Sequence, residues 1–152
     1  MSIPDREEQR RAFLAAHGAD VAAHHPARLQ ALLELQASRT AARTDALGRP
    51  VLLLDQDRGR WDRLLIRRGL AALARAEALV DSAGGGAPHS SLGPYALQAS
   101  IAACHARAAV AADTDWARIA AIYDALSQLH PSPVVELNRA IAVAMAFGPA
   151  AG

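Results

Sequence analysis

Apolar positions recur at helical spacing along most of the chain, and from residue 93 onward proline and glycine fall at the boundaries of the periodic stretches. A recurrence at every third or fourth position is typical of helices that bury one face. The pattern therefore predicts an all-α fold. The helices are expected over about residues 4–17, 26–43, 60–81, 93–112, 115–129 and 133–147.

Several helix ends carry capping signals. Asp57 is a plausible N-cap for the helix that starts near residue 60, and Thr114 is a plausible cap for the helix that ends near residue 129. Ser132 followed by Pro133 predicts the start of the last helix, because proline suits the first helical turn. Gly148 predicts its end.

One short apolar run, Val51-Leu52-Leu53-Leu54, does not follow the helical pattern. Four residues cannot distinguish a strand from a buried extended loop. Since the sequence offers no second strand to pair with this run, we predict one short, buried extended segment at 51–54.

The Gly/Ser/Pro-rich stretch at 83–92 contains three consecutive glycines and predicts a linker. It would separate an N-terminal helical subdomain, 1–82, from a C-terminal helical subdomain, 93–152. The last helix is apolar over much of its circumference, which predicts neighbours on more than one side. The C-terminal subdomain is therefore expected to be truncated.

Composition agrees with packed helices and excludes several classes of protein. Hydrophobic residues make up 52% of the chain but aromatic residues only 4%, and the difference is mostly alanine, the best helix former. The formal net charge of +1 gives no strong field to attract DNA, so no direct DNA binding is expected. No apolar stretch reaches the ~18 residues of a membrane span, and the N-terminus lacks a signal peptide's apolar region. A cytoplasmic protein is expected.

The segment 41–62 is similar to part of a known family. An Ala-Arg-Thr-Asp turn at 42–45 leads into a Leu-Leu-x-Asp-Gln-Asp-Arg-x-x-Trp-Asp block at 52–62. This order resembles the C-terminal extension of a group of extracytoplasmic-function RNA polymerase sigma factors. Further blocks resemble the same family, and they lie at 93–99, 114–116 and 131–140.

The resemblance implies a regulatory module that modulates transcription initiation through contacts with sigma-factor domains and RNA polymerase. It also implies that the helical hairpins pack as a tetratricopeptide-like array. Only about 28 residues precede the match, so the sigma domains are absent and promoter recognition transfers to no residue here. The predicted interaction motif consists of Asp55, Gln56, Asp57, Arg58 and Trp61.

Other interpretations of the motif remain open. Asp55 and Asp57 could simply cap the next helix and pair with nearby arginines, and Trp61 could be a core anchor instead of an interface residue. An apolar run followed by Asp-x-Asp also occurs in phosphohydrolases, although no further strands are predicted to support that chemistry. The chain could finally be a stand-alone scaffold or an inactive fragment.

The remaining reactive residue types show no useful spacing. The histidines and the single cysteine, Cys104, lack the pattern of a metal site, and the glycine-rich stretch lacks the strand and lysine of a phosphate-binding loop. We therefore expect no metal, no cofactor and no enzymatic activity. Self-association is possible through the apolar last helix.

Overall fold

The computed structural model describes residues 26–82 and 92–151, and this part of the chain forms five α-helices and no strand beyond one isolated bridge between Thr44 and Pro50. The all-α prediction is confirmed. The predicted helix over 4–17 and nearly all of the predicted linker lie outside the described residues. The helices are α1 (26–37), α2 (Arg63–Ser82), α3 (Gly93–Arg107), α4 (Trp116–Leu129) and α5 (Pro133–Phe147).

Helix α1 corresponds to the helix predicted over 26–43, but it ends at residue 37, six residues before the predicted end. The Ser38 hydroxyl donates to the Leu35 carbonyl at 2.7 Å, and the Ser38 carbonyl accepts the Asp62 backbone N–H at 2.8 Å. A serine side chain that takes a helix carbonyl competes with further helical bonds. The chain instead continues as a short 3-10 turn, Thr40–Ala42.

The caps differ from the predicted ones at two helices. The Asp62 carboxylate accepts the backbone N–H groups of Leu64 and Leu65, so α2 begins at Arg63 and Asp57 caps only a preceding 3-10 turn. At α4 the side chain of Asp115, not that of Thr114, is the cap, and it accepts the Arg118 backbone N–H at 2.9 Å.

The last helix follows the predicted signals. The Ser132 side chain accepts the Val135 N–H, Pro133 occupies the first turn, and Gly148 ends the helix with a φ of 99°. These caps are local, so the sequence alone specifies them.

The predicted buried extended segment at 51–54 is wrong in part. Only its start is extended, and Leu53–Asp55 form a 3-10 turn. Leu52 is 74% exposed and Leu54 41% exposed, whereas Leu53 is partly buried and packs against the core. The reason is that the neighbouring polar side chains of Gln56 and Arg58 occupy the buried positions instead.

Two hydrophobic clusters form the core. The first joins α1, α2 and α3 around Leu35, Trp61 and Leu73, and many of its members are alanines that allow close approach of the helices. The second joins α3, α4 and α5 around Leu97 and Ile119. Because α3 contributes to both clusters, residues on either side of the predicted linker share buried contacts.

Candidate functional site

The Asp-Gln-Asp-Arg motif begins at the end of one 3-10 turn, Leu53–Asp55, and ends at the start of the next, Arg58–Arg60, with Gln56 and Asp57 extended between them. The Asp57 carboxylate accepts the Gly59 backbone N–H at 2.8 Å. A Cβ at Gly59 would lie 3.0 Å from the Asp57 Oδ1 atom, so the turn is tight enough to favour glycine there. The sequence thus places four polar residues on a compact, hydrogen-bonded bend before α2.

Arg58 is the buried anchor of this bend, with only 7% of its surface exposed. Its guanidinium donates to the backbone carbonyls of His105 and Ala108, the latter at 3.1 Å, and to the Thr114 hydroxyl at 3.4 Å. The carbonyls at a helix C-terminus have no partner within the helix. Arg58 therefore supplies the missing donors at the end of α3, which explains why α3 stops at Arg107 and not near residue 112.

The Arg58 guanidinium also lies over the ring of Trp61, 4.6 Å from its centroid, and Arg39 approaches the same ring at 5.9 Å. A cation over an aromatic face is attracted by the ring's electron density. Trp61 itself is 3% exposed and belongs to the first core cluster. The core-anchor interpretation of Trp61 accounts for its position.

His105 lies beside this anchor and was not singled out as functional by its sequence context. Its pKa is lowered to about 4, first because burial disfavours the charged ring and then because Arg39 and Arg58 are positive. Its ring contacts Trp116 edge-on, with centroids 5.3 Å apart. The imidazole is therefore neutral near pH 7 and acts as a packing group.

Gln56 is also buried, at 9% exposure. Its side-chain nitrogen donates to the Val51 carbonyl at 3.2 Å, but its Oε1 atom has no hydrogen-bond partner. A buried acceptor without a donor is costly and uncommon. Among the motif residues, Arg58 Nε and Trp61 Nε1 are also buried without a hydrogen-bond partner.

The structure therefore divides the predicted interaction motif in two. Gln56, Arg58 and Trp61 are buried and hold the bend, whereas Asp55 and Asp57 are exposed. Among the described residues neither carboxylate forms an ion pair with a neighbouring arginine, so that part of the capping interpretation is wrong. Whether the motif binds a partner stays a prediction.

A groove of about 300 Å³ runs between the motif and the loop after α3. One wall consists of residues 54 and 56–59 and the other of residues 109–111. Leu54 and Val110, which is 55% exposed, place apolar surface on the two sides. The carboxylate of Asp57 lies on the first wall. The groove combines apolar and amide surface with one acidic and one basic residue, Asp57 and Arg58.

The described residues do not provide the framework of an Asp-x-Asp phosphohydrolase, because residues 26–82 and 92–151 form no sheet and Asp55 ends a 3-10 turn. Within the same residues no cluster of three His, Cys, Asp or Glu side chains could hold a metal ion. None of the helices seen in this part of the chain has the length and apolar character needed to cross a bilayer.

Comparison with known proteins gives two matches. Residues 10–77 match the model of a family described as a family of unknown function (DUF6596), a span that contains the whole motif and ends within α2. The protein named "Uncharacterized protein R00370" of Rhizobium meliloti (strain 1021) is 50% identical over 123 residues, or 81% of this chain and 27% of that protein. The chain thus spans about a quarter of that relative's length. No solved structure matches the chain.

Proposed function

We propose that this chain is a non-catalytic regulatory module that acts through protein contacts, as the C-terminal extension of an extracytoplasmic-function sigma factor does. The single observation that supports this most strongly is the construction of the motif. Buried Arg58 fixes the bend to the end of α3 and to the loop before α4, while Asp55 and Asp57 stay exposed and free of ion pairs within the described chain. A rigidly held polar surface is what a specific protein contact requires.

The partners we propose are sigma-factor domains and RNA polymerase. The resemblance in the motif block supports them, and so does a relative that is about four times as long as the matched segment and has room for further domains. We propose a cytoplasmic location and no direct DNA contact by this chain. The near-zero net charge supports the latter, since nucleic-acid binding depends on concentrated positive charge.

Affinity capture with this chain as bait tests whether it binds RNA polymerase subunits and sigma factors. The tagged chain is expressed in its source bacterium, and the enrichment of RNA polymerase subunits and sigma factors is measured by mass spectrometry against a tag-only strain. We expect enrichment that falls in an Asp55→Asn/Asp57→Asn variant. The matched control is Asp124→Asn, an exposed carboxylate on α4 that pairs with Arg139. Absence of every polymerase subunit and sigma factor from the wild-type capture would contradict the proposal.

A stand-alone scaffold is the second candidate, and one observation favours it. α5 exposes apolar side chains along one face, with Leu137 62% exposed and Ile141 49% exposed. Exposed apolar patches commonly mark contact surfaces. Sedimentation velocity should then show a mass that rises with concentration in the wild-type chain but not in a Leu137→Ser/Ile141→Ser variant. A monomer at all concentrations would remove this candidate.

A further inference from the structure

Arginine residues are concentrated where two short turns lie next to each other. These are the 3-10 turns Thr40–Ala42 and Arg58–Arg60. One arginine stands on each side of the first turn, and the second turn begins and ends with arginine. We call these four residues the arginine cluster: Arg39, Arg43, Arg58 and Arg60.

Two charges of the cluster, those of Arg39 and Arg43, are close together. Both guanidinium groups donate to the side-chain oxygen of Gln36, the Arg43 group at 3.3 Å. Two nitrogen atoms that share one acceptor are at most about 7 Å apart. The pKa of Arg39 is lowered, first by burial and then by the positive charges of Arg43 and Arg58. Like charges at this separation repel each other, and a negative group bound between them would relieve the repulsion.

In the part of the chain that the structure describes, no carboxylate forms an ion pair with the arginine cluster. The acidic residues nearest in sequence to its first turn are Glu34 and Asp45, and both are already paired with other arginines. Glu34 pairs with Arg68 at 2.8 Å. Asp45 pairs with Arg49 at 2.7 Å. These two carboxylates are therefore engaged elsewhere.

The aspartates that adjoin the second turn are engaged as well. The Asp57 carboxylate accepts the Gly59 backbone N–H, and the Asp62 carboxylate accepts two backbone N–H groups at the start of α2. Asp113 raises the pKa of Arg58 against the effect of burial, but it forms no ion pair with it. The charges of Arg39 and Arg43 are thus left without a carboxylate partner among the described residues.

Three of the four guanidinium groups are accessible to a ligand. Arg43 and Arg60 are exposed and Arg39 is half-buried, whereas Arg58 is buried. The hydrogen bonds of the three accessible groups, to Gln36 and to the Thr44 carbonyl, use only one or two N–H donors of each. A guanidinium group has five such donors. The surface therefore presents both positive charge and unused donors.

We infer that the arginine cluster binds an acidic segment of a protein partner, whose aspartate or glutamate carboxylates pair with Arg39, Arg43 and Arg60. Guanidinium groups bind carboxylates through strong, charge-assisted hydrogen bonds, often two at a time. The inference goes beyond the proposed function, because it assigns a second contact surface of opposite charge to the exposed carboxylates Asp55 and Asp57.

The observations favour an acidic protein segment over a nucleic acid. Three accessible guanidinium groups would neutralise about three phosphates, whereas a protein that binds DNA well makes roughly 6–10 phosphate contacts. The formal net charge of the whole chain, +1, adds little to the attraction. A short run of carboxylates needs only the compact cluster that the two turns form.

The test uses the full chain and fluorescein-labelled peptides in fluorescence anisotropy. One peptide alternates glutamate and serine over about nine residues, and its control has glutamine in place of glutamate. We expect the glutamate peptide to bind, and its affinity to fall at least about fivefold between about 50 and 300 mM NaCl, because salt screens exposed charge pairs. The glutamine peptide should not bind.

Variants locate the binding surface. Arg39→Gln/Arg43→Gln should weaken binding of the glutamate peptide about tenfold, since glutamine keeps N–H donors but carries no charge. The matched control, Arg75→Gln/Arg118→Gln, removes two exposed arginines on α2 and α4 and changes the net charge equally. It should bind within about twofold of the wild type. Circular dichroism establishes that both variants are folded.

NMR of the wild-type chain gives a check that does not depend on variants. The side-chain Nε–Hε signals of Arg39 and Arg43 should shift when the glutamate peptide is added. Unchanged signals at both residues, an equal loss of affinity in the two double variants, or equal binding of the glutamine peptide would overturn the inference. Tighter binding of a single-stranded DNA of the same net charge would also overturn it and would favour a nucleic acid.

The outcomes separate this inference from the proposed function. If the glutamate peptide fails to bind but polymerase or sigma subunits are captured, the proposed partner stands and the arginine cluster is not an acidic-segment site. If the peptide binds at the arginine cluster but no such subunit is captured, the site stands and the transcriptional partner is wrong.

Discussion

At the residue scale, Arg58 and His105 show how buried polar groups are accommodated. Burial lowers the pKa of Arg58, an effect that the Asp113 carboxylate opposes. No described carboxylate forms a salt bridge with Arg58, so its charge is balanced by carbonyl oxygens and an aromatic face. Desolvation of the charge opposes this arrangement, and the hydrogen bonds to the end of α3 support it.

Replacing Arg58 tests which of these effects is larger. Arg58→Met keeps most of the stem but leaves the carbonyls of α3 without their donors, so we expect a loss of about 2–3 kcal/mol in the free energy of unfolding. Urea unfolding followed by circular dichroism measures it. The control, Arg60→Met, removes an exposed arginine and should change stability by less than ~0.5 kcal/mol. An unchanged stability in Arg58→Met would mean that the desolvation cost cancels the hydrogen bonds.

The neutral state of His105 predicts a dependence of stability on pH. Its pKa is about 4 in the folded chain and ~6.5 in an unfolded chain. Between these values only the unfolded state binds the proton, so stability is present above pH ~6.5 and falls as the pH falls towards 4. The slope is about 1.4 kcal/mol per pH unit at most.

Urea titrations at pH 7 and pH 5 check this dependence. The wild-type chain should lose about 2 kcal/mol more stability between these pH values than a His105→Gln variant, which lacks the titrating ring. His130→Gln, at an exposed histidine, should behave like the wild type. An identical pH dependence in wild type and His105→Gln would show that the ring is not held neutral by the fold.

At the element scale, the approach of α1 to α2 depends on one glycine. A Cβ at Gly69 would lie 2.7 Å from the Leu35 Cγ atom and 3.2 Å from the Leu35 backbone nitrogen. A glycine inside a helix costs about 1 kcal/mol relative to alanine. Glycine at position 69 lowers the helix propensity of α2, but it allows α1 and α2 to pack closely at Leu35.

Gly69→Ala tests this explanation. The gain in helix propensity is about 1 kcal/mol, but overpacking a core costs about 1–3 kcal/mol, so we expect net destabilisation of up to about 2 kcal/mol by thermal or urea unfolding. Ala71→Gly, at an exposed position in the same helix, should lose about 1 kcal/mol and calibrates the propensity effect. A more stable Gly69→Ala variant would show that α1 and α2 are not closely packed there.

At the scale of the whole molecule, the residues before and after the predicted linker share one buried cluster and the Arg58 hydrogen bonds. Shared burial couples the two parts energetically, because unfolding one exposes apolar surface of the other. We therefore expect the chain to unfold in a single cooperative transition, even if 83–92 is a linker.

Two spectroscopic probes, applied to one variant, test whether unfolding is a single transition. In Trp116→Phe, fluorescence reports only Trp61, which packs with α1 and α2, whereas far-UV circular dichroism reports all helices. The two urea curves should coincide. A fluorescence midpoint that differs from the dichroism midpoint would instead support two independently unfolding subdomains at 1–82 and 93–152.

Periodicity and capping are local properties, so the amino-acid sequence is sufficient to predict the helical class, the Ser132 cap, and α4 and α5 with most of their boundaries. The ends of α1 and α3 and the burial of individual motif residues could not be predicted in this way. Those outcomes depend on hydrogen bonds between distant residues, such as Asp62 to Ser38 and Arg58 to Ala108. Four consecutive polar residues in a sequence do not indicate which side chain will bind a helix terminus and which will remain exposed.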